Sequence, residues 1–422
     1  MKVQIINSTG ELDALMAGVI AGAGFQIEQV PLQATEDWTV REGALSHRTG
    51  GFFDVMGLED AAGAEHLLMY QPQSALTGLA YCRIADQIHV LLQARIEPGN
   101  TGIGQWGPTI QSTPANFLAL HGGRPTPGLE LFYQFNPGAL PVGTSVQLDL
   151  GERYFQKSKW HNYVLLDQPV AMPDHMAWVS LSAIAGVLER DNCLNADLRS
   201  LLAVFNWDKL VSRELELGRE LGRGRGAELL GALNERRRTY SVDYRLKAVG
   251  EMRDWEVTPV GIEPRNDASR ISARMYHTSC GTREVKAWFQ PMIVAPSRGR
   301  VTLQVADGQC LLQVRREMGI EGGYVLTASE IINPGESVPE SNADVLASFV
   351  QSDEGGRFYR HETTYRLVRG NPTEPVAENM AWVPLETLKD ALALSNVASF
   401  QLRCIASLLI PEMNPSLRDL MR

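Results

Sequence analysis

The chain has 422 residues, of which 44% are hydrophobic and 21% charged, and its net charge is −10. This composition is typical of a globular protein, and at about 150 residues per domain the length predicts roughly two or three domains. The negative charge argues against a nucleic-acid partner, whereas a few arginines would suffice to bind a small diphosphate.

The cysteines and the N-terminal segment bear on where the protein works. Five cysteines with no C-x-x-C pair predict reduced thiols in a cytoplasmic protein. The apolar stretch 15–25 is too short to span a membrane and follows acidic residues, so we expect no signal peptide and no membrane partner.

The first polar motif occupies residues 47–53, where a histidine, an arginine and a threonine precede two glycines and two phenylalanines. One interpretation is a ligand-binding turn that uses His47 and Thr49. The other is a turn that leads into a core strand, with Phe52 or Phe53 buried.

The next motif is a predicted strand, 90–97, with a polar face. Side chains alternate along a strand, so Gln93, Arg95 and Glu97 point to the same side. An amide, a guanidinium and a carboxylate together can bind and act on a polar small molecule. The alternative is an edge strand whose polar face lies in water.

A long polar loop follows this strand and begins with a turn at Pro98, Gly99 and Asn100. Hydroxyl and amide groups continue along it, and His121 precedes two glycines that allow the backbone to approach a ligand closely. Long loops of this kind are often functional. The candidates on the loop are Thr109, Gln111, Thr113, Asn116 and His121.

Two helical segments are predicted between the loop and the second half. Asn195 is an N-cap candidate for an amphipathic helix over 196–205. The segment 209–240 mixes Glu and Arg and ends in Arg236, Arg237 and Arg238. We interpret it as a helical connector with surface ion pairs and a break at 222–226, in preference to a phosphate-binding patch.

The second half repeats the first. Residues 176–179 (Met-Ala-Trp-Val) return at 380–383, an offset of 204, and 91–97 align with 311–317 at 220. The second copy therefore lacks about sixteen residues between 317 and 355, which we assign to the region 108–123 of the first copy. Trp38 and Trp255 begin the two copies.

The repeat predicts a mixed α+β fold with antiparallel strands. Asp307 and Gly308 between two apolar runs indicate a type I′ hairpin turn, with a counterpart near Ala85 and Asp86. We predict a first domain over 1–208, a connector over 209–240 and a second domain over 241–422.

Several common sites have no sequence signal. There is no HExxH or CxxC motif and no histidine cluster with metal-binding spacing, and the P-loop and the G-x-S-x-G elbow are also missing. We therefore expect neither a metal nor another cofactor.

Taken together, these motifs resemble the NDP-hexose 2,3-dehydratases of deoxysugar biosynthesis. The resemblance spans nearly the whole chain, and its most specific part runs from Glu97-Pro98-Gly99-Asn100 to Pro108-Thr109-Ile110-Gln111. It implies two tandem Nudix-like domains from a gene duplication, without the Nudix hydrolase motif. It also implies a homodimer with an active pocket in the first copy and a remnant pocket in the second.

The resemblance further implies a lyase that needs no metal. Such an enzyme acts on a nucleotide-linked 4-keto-6-deoxyhexose, and we expect the nucleotide to be dTDP. It removes the C3 proton and expels the C2 hydroxyl, which gives a 3,4-diketo sugar for natural-product biosynthesis. Glu97 and His121 would share the acid and base roles. The expected substrate-binding residues are His47, Thr49, Gln93, Arg95, Asn100, Thr109, Gln111 and Asn116.

The chain departs from the family pattern in two places. Arg95 stands where lysine is expected, and Ala115-Asn116-Phe117-Leu118-Ala119 replaces Ser-Asn-Tyr-Thr-Arg. Two alternatives therefore stay open: a lyase for a keto or hydroxy metabolite without a nucleotide, and a non-catalytic module that binds a nucleotide or metabolite. A nucleotide-sugar hydrolase would need a cluster of metal-binding glutamates that the sequence does not show.

Overall fold

A computed structural model describes residues 1–120, 122–132, 138–207, 210, 225–241, 243–339, 341–418 and 421. The strands of the first half are β1 (Ile5–Ile6), β2 (Gln26–Gln29), β3 (Trp38–Arg41), β4 (Ala44–His47), β5 (Asp54–Asp60), β6 (Glu65–Tyr70), β7 (Ala75–Ile84), β8 (Gln87–Ile96), β9 (Gly104–Gly107), β10 (Ile110–Ser112), β11 (Ala139–Leu148), β12 (Tyr154–Phe155), β13 (Ser158–Leu166) and β14 (Met176–Ser180). Its helices are α1 (Thr9–Gly22), α2 (Pro114–Phe117), α3 (Leu181–Ala185) and α4 (Ala196–Val204).

The second half opens with a helix and continues with the same succession of strands. Its strands are β15 (Tyr244–Lys247), β16 (Trp255–Thr258), β17 (Gly261–Pro264), β18 (Ser272–Ser279), β19 (Ala287–Val294), β20 (Gly299–Ala306), β21 (Gln309–Arg316), β22 (Tyr324–Ala328), β23 (Glu330–Ile332), β24 (Val345–Ser352), β25 (Phe358–Tyr359), β26 (Glu362–Arg369) and β27 (Met380–Pro384). Its helices are α5 (Arg225–Arg238), α6 (Leu385–Ala393), α7 (Phe400–Ala406) and α8 (Ile410–Met413).

Each copy contributes a large and a small mixed sheet. The large sheets follow the orders β1-β14-β8-β7-β13-β11 and β22-β21-β20-β26-β24. The remaining strands pair with inner strands: β9 with β8, β10 with β7, β23 with β20 and β27 with β21. The predicted α+β fold with two tandem copies is confirmed. The hairpin turns are confirmed as well, because Ala85, Asp86, Asp307 and Gly308 all have the positive φ angles of a type I′ turn.

The small sheets exchange one short strand each between the copies. β2, from the first half, pairs with β18 of the second, and β15, which occupies the same place in the second half, pairs with β5 of the first. Each small sheet is therefore completed by the other copy.

The junction between the copies repeats one close backbone contact twice. The Gly99 N–H donates to the Gly355 carbonyl at 2.7 Å, and the Gly319 N–H donates to the Gly151 carbonyl at 2.8 Å. A β-carbon on Gly99 would lie 1.5 Å from the Phe358 carbonyl oxygen, and one on Gly319 would lie 1.8 Å from that of Tyr154. Only glycine permits this approach.

The hydrophobic core joins the copies as well. Its largest cluster includes Leu45 and Phe53 of the first half together with Ile293 and Leu402 of the second. The predicted helix after Asn195 is confirmed as α4, because the Asn195 side chain accepts a hydrogen bond from the Leu198 N–H. In the predicted connector, α5 packs on the second copy, where Arg237 donates to two backbone carbonyls; residues 209 and 211–224 lie outside the described part.

Strand pairing corrects the position of the first-copy insertion. β10 and β23 pair in the same way with β7 and β20, so the second copy keeps a counterpart of residues 110–112. The sixteen extra residues of the first copy therefore follow β10 and include α2, rather than beginning at Pro108. The prediction was wrong here because sequence identity is lost in this stretch while the pairing is kept.

Candidate active site

A cavity of about 430 Å³ lies at the junction of the two copies. The first half contributes β3, β4 and the turn after β4, and its insertion contributes Asn116 and Leu120. The second half contributes residues 283–285 and 287–290 and the pair Gly356 and Arg357. This volume lies within the range of small-molecule sites.

One wall of the cavity is aromatic. His47 packs edge-on against Trp38 and Phe52, with ring centres 5.2 and 4.5 Å apart, and Trp288 faces the same space from the second copy. His47 Nδ1 lies 2.8 Å from the Thr49 hydroxyl. His47 and Thr49 therefore line the cavity, as the ligand-binding interpretation of this motif requires.

Arginines from the second copy supply positive charge to the cavity. The Arg357 guanidinium lies 4.5 Å from the centre of the Phe53 ring, and Arg283 Nη1 lies 3.9 Å from Glu97 Oε1. Aromatic faces beside guanidinium groups suit a ligand that carries a planar base and a diphosphate.

The polar face of β8 does not line the cavity, but Glu97 is linked to it through Arg283, which does. Arg95 donates to Gln93 Oε1 at 3.0 Å and to Glu97 Oε1 at 2.9 and 3.2 Å, and the exposed fractions of the three residues are only 3 to 8%. The predicted side-by-side arrangement is present. The alternative of a solvated edge strand is wrong, because β8 is paired on both sides.

The other predicted binding residues differ in position. Asn116 lines the cavity. The buried Thr109 hydroxyl donates to the Leu91 carbonyl and accepts from the Ala80 N–H, so it holds strands together. Gln111 accepts a hydrogen bond from Asn195. The Asn100 amide is buried against Gly355, and neither of its polar atoms has a partner among the described residues.

His121 lies outside the described residues, but the chain that follows it is fixed to the second copy. The Arg124 N–H donates to the Glu284 carbonyl at 3.1 Å, and its guanidinium donates to the carbonyls of Gly281 and Arg283. The insertion is thereby held against the turn between β18 and β19.

Sequence reasoning missed the residues that this turn supplies, Arg283 and Glu284. The strand pairing shows why they were missed: Val55 aligns with Ala273 at an offset of 218, and Met69 aligns with Ile293 at 224. The second copy thus has six additional residues between β18 and β19. Identity between the copies is too low there for the sequence alone to show it.

Comparison with known proteins identifies the family. The family model for NDP-hexose 2,3-dehydratase matches residues 9–205, 226–330 and 335–409. The chain belongs to the NDP-hexose 2,3-dehydratase family. The resemblance noted in the sequence is confirmed. The protein is a carbon–oxygen lyase of deoxysugar biosynthesis.

Curated relatives of this dehydratase match over almost their whole length. Proteins from Saccharopolyspora spinosa and Streptomyces violaceoruber are 24% and 26% identical, and the alignments cover 94% and 95% of this chain and 90% and 96% of the relatives. Both are named dTDP-4-dehydro-6-deoxy-alpha-D-glucopyranose 2,3-dehydratase.

Solved structures match parts of this dehydratase. A Nudix hydrolase from M. smegmatis, RenU, is 18% identical with a TM-score of 0.19, and the match covers 31% of this chain and 83% of that one. An ADP compounds hydrolase is 13% identical with a TM-score of 0.24, covering 40% and 97%.

Two features are absent from the described residues of the dehydratase. Among them, no three His, Cys, Asp or Glu side chains form a group that would hold a metal ion. None of the helices in this part of the chain combines the length and apolarity needed to cross a bilayer.

In the second copy of the dehydratase, the segment equivalent to β8 has the same three polar residue types, but they make different contacts. Arg315 donates to the Ile331 carbonyl at 2.9 Å and approaches Glu152 at 3.8 Å, so it is not paired with Glu317. Burial raises the pKa of Glu317 to about 8, with a smaller contribution from Glu152. The same three residue types therefore give an ion pair in one copy and a buried carboxyl in the other.

Glu317 should make the stability of the dehydratase pH-dependent. A pKa raised from the usual 4.5 to about 8 favours the folded state below pH 4.5, and this contribution is lost as the pH rises to 8. Relative to the wild type, Glu317→Gln should therefore gain about 1.4 kcal/mol of unfolding free energy per pH unit across that interval. Urea unfolding at pH 5, 6.5 and 8 measures the difference; a constant difference would contradict it.

Proposed function

We propose that the protein removes the C2 hydroxyl of a dTDP-linked 4-keto-6-deoxyhexose without a metal, in the cavity at the junction. The observation that carries this proposal is the aromatic and arginine-lined cavity, whose Arg283 approaches Glu97 of the buried Arg95–Glu97 pair. The names of the relatives support the dTDP-linked substrate. We propose further that the enzyme works as a cytoplasmic homodimer in natural-product biosynthesis, as the family resemblance implies.

The proposed binding mode follows the two walls of the cavity. The thymine ring stacks on the aromatic side formed by Trp38, His47 and Phe52, and Arg283 and Arg357 hold the diphosphate. Asn116 then positions the sugar. This arrangement directs the hexose toward β8, where Arg95 provides the hydrogen-bond donor for the 4-keto oxygen. Gln93, whose amide donates to the Thr109 carbonyl at 3.1 Å, orients Arg95 through its oxygen.

The proposed chemistry needs one base and one acid. The 4-ketone acidifies the C3 proton, a base removes it, and the enolate expels the C2 hydroxyl with help from an acid. Tautomerisation of the resulting enol gives the 3,4-diketo sugar, and the net loss is one water. We propose that Glu97 and His121 share these roles, with Arg95 and Arg283 keeping Glu97 in place.

A direct assay tests this function. The protein should convert dTDP-4-keto-6-deoxyglucose to a 3,4-diketone that o-phenylenediamine traps as a quinoxaline, equally well in the presence of EDTA. Assays with UDP- and GDP-linked analogues test which nucleotide the enzyme accepts. Loss of activity with EDTA would contradict the metal-independent mechanism, and turnover of the free sugar at the same rate would contradict the nucleotide contacts.

The substitution Glu97→Gln tests the role of the Arg95–Glu97 pair. It should lower kcat about 100-fold or more, because a neutral amide cannot exchange a proton in this role. Glu317→Gln is the matched control, since it changes the equivalent residue of the second copy, and it should retain turnover. Equal activity of both variants would remove Glu97 from the mechanism.

A further inference from the structure

Arg124 connects the insertion of the first copy to the turn between β18 and β19. Its N–H donates to the Glu284 carbonyl at 3.1 Å, and its Nη2 donates to the carbonyls of Gly281 and Arg283 at 3.0 and 2.6 Å. One residue of the first copy thus binds three carbonyl groups of a single turn in the second. A guanidinium suits this task because its charged donors point in fixed directions.

The insertion that carries Arg124 is anchored to the first copy. It leaves β10 at Ser112 and returns beside that strand at Thr126, whose hydroxyl lies 3.3 Å from that of Ser112. Both of these residues are buried. Just after α2, the Leu120 N–H donates to the Ala115 carbonyl at 2.9 Å. Arg124 therefore reaches the second copy from a segment that is itself held in place.

The turn between β18 and β19 is held in a different way at each end. At its start, the Gly281 N–H donates to the Ala23 carbonyl at the end of α1 at 2.7 Å. Further along the turn, Arg124 supplies donors for the Arg283 and Glu284 carbonyls. Loss of the Arg124 guanidinium should therefore leave the start of the turn in place and loosen the part that carries Arg283.

This part of the turn belongs to the cavity. Arg283 and Glu284 both line it, and Arg283 Nη1 lies 3.9 Å from Glu97 Oε1. Arg124 is not among the described residues that line the cavity. We therefore expect any effect of Arg124 on a bound ligand to pass through the turn.

We propose that Arg124 is a positioning residue of the active site, which fixes the turn so that the Arg283 guanidinium meets the diphosphate of the substrate beside Glu97. This inference rests on the proposed function. Arg124 acts on the turn, the turn places Arg283, and Arg283 contacts the ligand. The insertion and the turn, each of which is longer in one copy than in the other, thereby work as one unit.

The substitution Arg124→Met tests the proposal, because methionine keeps the apolar stem and removes the donors of the guanidinium. We expect kcat/KM for the dTDP sugar to fall about tenfold or more, since a small displacement of a substrate-positioning group is costly in rate. Arg124→Lys should recover part of this loss, because an ammonium group still donates to carbonyls but lacks the planar fork of guanidinium.

A double-mutant cycle with Arg283 distinguishes positioning from general stabilisation. If Arg124 acts through Arg283, adding Arg124→Met to Arg283→Ala should lower kcat/KM by less than about threefold. In the Arg357→Ala background, where a different cavity arginine is missing, the full effect of Arg124→Met should remain. Equal effects of Arg124→Met in the two backgrounds would overturn the proposal.

Arg245→Met is the matched control. Arg245 is an exposed arginine that also joins the copies, since it donates to Glu59 Oε1 at 2.6 and 3.1 Å, and neither residue lines the cavity. This variant should keep the kcat/KM of the wild type. The proposal is overturned if Arg124→Met is as active as Arg245→Met, or if its loss of activity equals its loss of folded protein measured by circular dichroism.

Binding of dTDP, measured by calorimetry, separates this proposal from the proposed function. If the wild type binds dTDP but does not turn over the dTDP-linked sugar, the proposed function fails, and the same cycle on the dissociation constant of dTDP tests Arg124. An effect of Arg124→Met that disappears with Arg283→Ala and persists with Arg357→Ala then supports the proposal, and any other pattern overturns it. A wild type that binds no dTDP overturns both.

Discussion

Gly99→Ala should lower the free energy of unfolding by about 3 to 5 kcal/mol and abolish dehydration. The new β-carbon would lie 1.5 Å from the Phe358 carbonyl oxygen, so backbone has to move. That movement breaks the bonds from Gly99 to Gly355 and Arg360, each worth about 1 kcal/mol. It also displaces Pro98 and Gly356 at the cavity. Chemical denaturation and the quinoxaline assay measure both effects.

Two further variants test whether the effect of Gly99→Ala comes from the backbone clash at the junction. Gly319→Ala makes the equivalent clash with Tyr154 and should destabilise the fold to a similar extent. Gly231→Ala on α5 adds a methyl group where no atom lies within 4 Å, and it should raise stability by up to about 1 kcal/mol. If Gly99→Ala were as stable as Gly231→Ala, the described junction would be incorrect.

Arg283→Ala should lower kcat/KM for the dTDP sugar about 100-fold or more, although the residue belongs to the second copy. The change removes a cavity cation and leaves Glu97 with Arg95 alone. Arg283→Lys should recover only part of the activity, because an ammonium group lacks the planar fork of guanidinium. Steady-state kinetics with the purified variants give the comparison.

The control for Arg283 is Arg265→Ala. Arg265 also lies in the second copy, but it is exposed and forms a surface pair with Glu256, a contact worth at most about 1 kcal/mol. It should behave like the wild type. If Arg283→Ala kept full activity, the second copy would make no essential contribution to the cavity.

Local features and the internal repeat could be predicted from the sequence. Period-two alternation correctly placed Gln93, Arg95 and Glu97 together, and the Asp307–Gly308 turn followed from backbone preference. It could not show that Arg95 pairs with Glu97 while Arg315 turns away from Glu317. That difference depends on tertiary neighbours such as Glu152, which no local pattern encodes.

The residues of the cavity illustrate the same limit. His47, Thr49 and Asn116 belong to polar motifs that the sequence makes visible, and they line the cavity. Thr109 looked equivalent to them, yet its hydroxyl is used within the sheet. Arg283 belongs to no motif, because it lies between β18 and β19, where only the strand register shows the six-residue difference between the copies.

The paired glycine contacts and exchanged strands give the molecule an approximate twofold axis, and hence two equivalent clefts. The second cleft, bordered by Trp255, Glu65 and Arg153, is open and has a volume of about 870 Å³. Two departures from this symmetry, the sixteen residues after β10 and the six between β18 and β19, meet at the first cleft. Each copy therefore contributes to the proposed active site a segment that the other copy lacks, and neither half alone encodes that site.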